Sequence, residues 1–308
     1  MRRLALVAFV LMYLISCRLE MLPLSEFNSN PFTSKKTLSD VVNPDTIEFS
    51  AITDVHLGRR NSGISWFSDN YFDFLSTKSY PFLIQLGDFS DNGVIGKEEL
   101  DFINKAKAAS RTSHFISVMG NHDRHNVSPL WNNDPEFQIA ERYSYGKCLD
   151  GRDMLSIYKL DNSKRTIGSI QFQYLEEALK SDNSRYKIII AHEIVASGGN
   201  FDMSLILFGL NVEDQLKLYK LMYKYKVGLI LSGHHHIGNI EYHFDEKHGE
   251  FNLAAFHQRK TKPFEYESEG YFYDISLDTD SGKLTITPYL AETKEKKSPF
   301  TFNLIAND

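Results

Sequence analysis

The sequence predicts an α/β-type fold, and three observations carry that prediction. Apolar runs of strand length alternate with helical patterns between residues 47 and 236. Beyond residue 236 the pattern changes to short strands joined by turns, so the C-terminal part reads as mostly β. The chain has 308 residues, 42% apolar and 24% charged, which is the balance of a globular protein with a sizeable core.

Met1-Arg2-Arg3 is a short basic start, followed by an unbroken apolar run from Leu4 to Ile15. A membrane span needs about 20 apolar residues, so the run instead fits the apolar region of a secretory signal peptide. It ends in Leu14-Ile15-Ser16-Cys17, which resembles the lipobox of bacterial lipoproteins. That resemblance implies removal of residues 1–16 and a lipid on Cys17. The mature chain would then sit on a membrane outside the cytoplasm, in the periplasm or at the cell surface. The alternatives are an ordinary cleaved signal with Cys17 as a bystander, and an uncleaved anchor. Residues 17–46 read as a tether, because Ser25 to Pro44 is rich in Ser, Asn, Thr and Pro with little apolar periodicity. The folded domain is then expected over residues 47–308. The only other cysteine is Cys148, which argues against a disulfide framework and against a thiolate metal site.

Within the domain, Ile47 to Thr53, Phe82 to Leu86, Phe115 to Met119, Ile188 to Ala191 and Val227 to Leu231 read as strands. Helical spacing of apolar residues predicts helices over Lys97 to Ala109, Gln171 to Lys180 and Val212 to Tyr225. Later strands are expected over Ile237 to Phe244, Glu250 to Phe256, Gly270 to Leu277 and Lys283 to Leu290. Asp280-Ser281-Gly282 is the hairpin turn between the last two.

Each of the five early runs is followed at once by metal-ligand residue types. In order these are Asp54-Val55-His56, Gly87-Asp88-Phe89-Ser90-Asp91, Gly120-Asn121-His122-Asp123, His192, and Gly233-His234-His235-His236. Open α/β sheets bind ligands in the crevice beyond the carboxyl ends of their strands, so all five would meet at one edge. Glycine just before Asp88, Asn121 and His234 allows a sharp turn there. Carboxylate, amide oxygen and imidazole suit Mn, Fe or Zn. A carboxylate shared by two such ions is the usual economy of two-metal hydrolytic sites.

In these motifs and their order the sequence resembles the calcineurin-like metallophosphoesterase family, roughly from Ile47 to His236. The resemblance implies two facing mixed β-sheets flanked by helices. It implies one metal held by Asp54, His56 and His236, a second held by Asn121, His192 and His234, and Asp88 bridging both. His122 takes the acid–base role near the leaving group, and Asp91 matches the acidic position that pairs with that histidine in some members. Taken singly, each motif also reads as a solvated turn, an Asx-type turn or a structural histidine. His235 alternates away from its neighbours and points off the metals. Arg124 and His125 read either as a solvated loop or as substrate-phosphate ligands, and His257, Arg259 and Lys260 either as solvated charge or as a basic loop at the cleft.

Departures narrow the subclass that the resemblance implies. Asp91 stands where purple acid phosphatases place a tyrosine iron ligand. Asn92-Gly93 stands where Ser/Thr protein phosphatases place an arginine. Glu193-Ile194 follows His192 where many members have a proline two residues on. The Gly-Asp-x-x-Asp-Asn-Gly run is more similar to the phosphodiesterase branch.

The expected activity is therefore metal-dependent hydrolysis of a phosphomonoester or phosphodiester, with loops Gly58 to Asp69, His125 to Ser144 and Gly198 to Asn211 choosing the substrate. A nuclease is one alternative; it would need a basic groove, which the net charge of −6, an average over the whole surface, does not suggest. A surface binding lipoprotein that has lost catalysis is another. Nothing in the sequence specifies an oligomeric state. Metabolic labelling with a fatty acid is expected to mark the wild type and not Cys17→Ser; equal label on both refutes the lipid assignment.

Overall fold

A computed structural model of the chain describes residues 29–57, 64–91, 96–124, 137–196, 209–236, 239–257, 259–261 and 266–307. The signal segment 1–16, Cys17, the first part of the tether, Asn92-Gly93, His125 and most of the three expected substrate loops lie outside the described residues.

Strand β2 (Thr46–Ile52) shows how the core is made. Its alternate residues Ile47, Phe49 and Ala51 share one face, and all three are buried in the central apolar cluster. β2 lies within a six-stranded sheet. On one side it pairs in parallel with β3 (Leu83–Gln85), which pairs in parallel with β4 (Phe115–Ser117). On the other side come antiparallel β13 (Tyr271–Asp278), β14 (Lys283–Leu290) and β15 (Phe300–Asn303). The second sheet has seven strands. β1 (Lys35–Val42), β5 (Glu141–Lys147), β6 (Asp153–Lys159), β7 (Tyr186–Ile190) and β8 (Leu229–Ser232) lie in that order, followed by β10 (Gly249–Asn252) and then β9 (Ile240–His243). Tyr143, Leu155, Ile157, Ile188, Ile190, Leu229 and Leu231 of this sheet join the cluster that β2 enters, so one core lies between the two sheets. A separate hairpin pairs β11 (Arg259–Thr261) with β12 (Tyr266–Ser268). The expected class, two facing mixed sheets with flanking helices, is the one found.

Helices α1 (Ile64–Ser76) and α2 (Lys97–Ser110) pack together through aromatic rings, Phe72 lying 5.1 Å and Tyr71 6.4 Å from Phe102. The Tyr71 hydroxyl donates to Ser50 Oγ (3.3 Å), which seats α1 on the outer face of β2. Helices α3 (Ser169–Ser181) and α4 (Val212–Tyr225) pack against each other and bury Leu175, Leu179, Leu218 and Met222.

The folded unit begins earlier than the sequence suggests. It runs from Pro31, so the later part of the expected tether is folded. Lys35–Val42 is an edge strand pairing in parallel with β5, and an edge strand needs few apolar residues to bury, here Leu38. Strands β5 and β6 were also illegible, because Ser144, Ser156 and Lys159 interrupt their apolar pattern. The Lys159 ammonium is buried, donates to Ser117 O (3.1 Å) and lies 3.8 Å from Glu141 Oε2. Burial pushes it down to about 8 despite that carboxylate. Glu141 in turn pairs with Lys36 of β1. The stretch read as the loop Gly58 to Asp69 contains the start of α1.

Phe32, just before β1, is fully buried with its ring 5.9 Å from that of Tyr158. Phe32→Ala is expected to lower the unfolding free energy by about 3–5 kcal/mol in urea denaturation. A cost near zero would return this stretch to the tether.

Candidate metal centre

Parallel pairing carries β2, β3 and β4 of one sheet, and β7 and β8 of the other, in common directions. Their carboxyl ends deliver every residue of the predicted constellation to one edge of the sandwich. The turns are locked by backbone hydrogen bonds, Asp54 N to Gly87 O (3.0 Å), His56 N to Asp88 O (2.9 Å) and Gly233 N to His192 O (2.8 Å). Five of these residues adopt the left-handed conformation, with φ of 51° at Asp54, 49° at His56, 52° at Asp88, 74° at His234 and 62° at His236. Asp and His are among the few non-glycine residues that tolerate it. Gly87 is required for two reasons. Its φ is 91°, and a Cβ there would lie 2.3 Å from Nδ1 of His192.

The side chains form two clusters that share Asp88. In the first, His236 Nε2 lies 3.0 Å from Asp54 Oδ1 and 3.3 Å from His56 Nε2, which is itself 3.7 Å from Asp88 Oδ2. In the second, which also includes His234, His192 Nε2 lies 3.4 Å from Asp88 Oδ1 and 3.1 Å from Asn121 Oδ1. Two donors each about 2.0–2.2 Å from one ion sit about 3.0–3.5 Å apart, so these spacings are those of ligands around a common cation. The donor orientation fits as well. His56 Nδ1 faces Asp91 Oδ1 at 3.0 Å and His192 Nδ1 faces Leu86 O at 2.7 Å. Both Nδ1 atoms therefore serve as donors, and both Nε2 atoms turn inward. Asp54 Oδ1 is buried and accepts no well-formed hydrogen bond. The residues thus fit two hard-to-borderline metal ions.

The titration of the cluster follows the same logic. Burial alone would push up the carboxyls of Asp54 and Asp88, but the imidazoles beside them, His236 for Asp54 and His192 for Asp88, overcome it. Both are held below the usual carboxylate range. Burial pushes His56 down to about 2 and, together with the charge of His192, His234 down to about 3, so both are neutral and have lone pairs to give. Burial opposes charge on His192 too, but the charge and hydrogen bond of Asp88 lift it to about 10. One imidazole thus keeps a proton where the buried carboxylates require a cation. A metal there would displace that proton.

The sequence model of the calcineurin-like phosphoesterases matches residues 48–238, more than half of the chain. The chain belongs to this family. No curated protein matches the sequence. Among solved structures it is similar to GAP50, the anchor in the inner membrane complex of Plasmodium, with a TM-score of 0.60 and 14% identity over 85% of this chain and 90% of that one. It is similar to the purple acid phosphatase PPD1 of yellow lupin (Lupinus luteus) seeds, with a TM-score of 0.59 and 13% identity over 84% of this chain and 54% of that one. The third is PhoD, with a TM-score of 0.57 and 11% identity over 86% and 71%. At these identities the likeness shows the fold alone.

Two residues of this calcineurin-like phosphoesterase make contacts that the sequence did not indicate. Asp91 Oδ1 lies 3.6 Å from Nδ1 of His122, its expected partner, and 3.0 Å from Nδ1 of His56, which the sequence did not indicate. His122 Nδ1 also has the Asp91 carbonyl oxygen at 3.2 Å. His257 was read either as solvated charge or as part of a basic loop at the cleft. It is buried, donates from Nδ1 to Asp54 O (2.7 Å) and sets its ring 5.1 Å from that of His56. His235 belongs to neither cluster, as its alternation predicted.

Sequence reasoning missed the residues that hold the ligand turns together. Glu250 of β10 accepts from Val195 N (3.0 Å), Ala196 N (2.5 Å) and Ser232 Oγ (2.5 Å), tying the turn after His192 to the strand before His234. Asp123 accepts from Ser90 N and Gly120 N, both at 2.9 Å, tying the turns after β3 and β4. Burial, aided by the charge of Asp88, pushes the Asp123 carboxyl up to about 7. Gly87→Ala is expected to cost at least about 1–3 kcal/mol, the scale of one strained backbone residue, because it adds a clash with His192 to an unfavourable φ. Chemical denaturation measures this, and an unchanged midpoint would refute the close packing of Gly87.

Proposed function

We propose that the chain is a metal-dependent phosphoesterase that uses two ions. Asp54, His56 and His236 hold one, Asn121, His192 and His234 hold the other, and Asp88 bridges them. The observation that carries the reading is the double-facing carboxylate of Asp88, whose Oδ1 looks at His192 and whose Oδ2 looks at His56. Bound there, Mn, Fe or Zn ions would neutralise phosphate oxygens and provide hydroxide at neutral pH for an in-line displacement.

The chain's own groups supply the rest. The His122 backbone N–H donates to Asp88 Oδ1 (2.8 Å), which fixes the turn. Its side chain is one-third exposed, and Nδ1 lies toward Asp91, leaving Nε2 as the atom that can hold a proton for the leaving oxygen. Asp91 serves two imidazoles, orienting His56 by its nearer contact at 3.0 Å and lying 3.6 Å from Nδ1 of His122. The substrate is a phosphomonoester or diester, and the protein acts outside the cytoplasm through a lipid on Cys17. The fold shared with the Plasmodium anchor supports a second reading, a binding protein without catalysis, but all seven proposed ligands are present here.

The protein lacking residues 1–17 is to be assayed on aryl phosphomonoesters and diesters with Mn, Zn and Fe. Turnover lost with chelator supports the proposal, and two bound ions without turnover support the binding protein. His122→Ala is expected to keep both ions and to lose about 10²–10⁴ in rate, most with poor alkyl leaving groups and least with nitrophenyl esters. A uniform loss would assign His122 to charge stabilisation instead.

A further inference from the structure

The turn Asp161-Asn162-Ser163 follows β6, outside the five ligand-bearing strand ends, yet it touches the ligand turns of both sheets. Asn162 Oδ1 accepts from His192 N and Glu193 N, both at 3.0 Å, and its Nδ2 donates to Glu193 O (2.7 Å). Asn162 is fully buried, so its amide is committed to the backbone that presents His192. On its other flank the turn grips Arg124, two residues after His122. Arg124 Nε donates to Ser163 Oγ (2.6 Å), and its guanidinium pairs with Asp161 Oδ2. Ser163 N and Oγ both donate to Asp161 Oδ1, and Gln171 of α3 closes the far side, accepting from Asp161 N (2.9 Å) and donating to Asp161 O (2.8 Å). Each member of the turn is thus held by another, so the turn is rigid.

We propose that this turn is a staple that sets the spacing between Asn121 and His192, and so builds the second metal site. Asn121 comes from one sheet and His192 from the other, and among the described residues no strand ladder joins the two sheets; the bonds from Lys159 to Ser117 O and from His192 Nδ1 to Leu86 O cross between them, but neither ties the turn that carries Asn121 to the turn that carries His192. The staple turn does so through Arg124 on one side and Asn162 on the other. Arg124, Asp161 and Asn162 are positioning residues, and the guanidinium of Arg124 is spent within the protein rather than on substrate phosphate. The first cluster, Asp54, His56 and His236, has no direct contact with the turn among the hydrogen bonds of the described residues and should feel its loss less.

This inference rests on the two-ion reading, and the test separates the two. Metal-free protein is titrated with Mn2+ and ion stoichiometry and affinities are measured, with folding checked by thermal melting. Wild type binding two ions upholds the two-ion reading; fewer sinks that reading and the staple with it. Given two, Asn162→Ala and Arg124→Met are expected to weaken one ion by about 10–100-fold and leave the other near its wild-type affinity. Asn162→Asp keeps the acceptor for His192 N and Glu193 N and is expected to recover part of the loss. Two ions held at wild-type affinity in the folded variants overturn the staple, and so does equal weakening of both. If Asn162→Ala does not fold, Arg124→Met decides. A raised KM with unchanged metal affinity in that variant would return Arg124 to the substrate.

Discussion

Burying Asp54 and Asp88 at the seam between two sheets is the constraint on which the rest of the structure depends. An ionised carboxylate taken out of water costs several kcal/mol unless its oxygens are matched by charges and donors. Asp54 Oδ2 is matched by Thr53 Oγ1 (2.7 Å) and His234 N (2.8 Å), and Asp88 Oδ1 by His122 N. To bring those backbone N–H groups inward the chain must turn sharply at each strand end. The left-handed residues and the glycine at position 87 follow from that requirement. Each such residue costs of order 1–3 kcal/mol, and they persist because the neighbouring turns over-determine them.

How much of this was legible in the sequence depended on range. Asp54, Asp88, Asn121, His192 and His234 could be read because each directly follows an apolar run, a signal contained within about ten residues. The strand containing Lys159 hid because a fully buried ammonium looks like a surface residue until its partners Ser117 O and Glu141 are known. Residues 35–42 hid because an edge strand with one buried leucine has a linker's composition. Asp91 shows the limit of assignment by resemblance. The motif placed it by His122, where it lies at 3.6 Å, but gave no sign of its nearer partner His56, 35 residues away in sequence.

The supporting groups were illegible for the same reason. Glu250 bonds a turn 54 residues earlier, and Asn162 one 30 residues later. A single Glu or Asn has no local signature for such work. The Leu160-Asp161-Asn162-Ser163 sequence did repeat the pattern of the ligand turns, a polar turn at the end of a strand, and its strand went unread because of its interior serine and its terminal lysine.

Both clusters draw donors from both sheets, the first through Asp54, His56 and His236, the second through Asn121, His192 and His234. The two halves of the sandwich share an apolar core and, among the described residues, no strand ladder, so their relative position depends on that packing and on the few polar contacts that cross it, such as Lys159 to Ser117 O. A slide of half an ångström would leave every strand intact and spoil every inter-sheet ligand distance at once. Side chains deep in the core, such as Ile190 and Leu231, therefore govern the reach of groups they never touch.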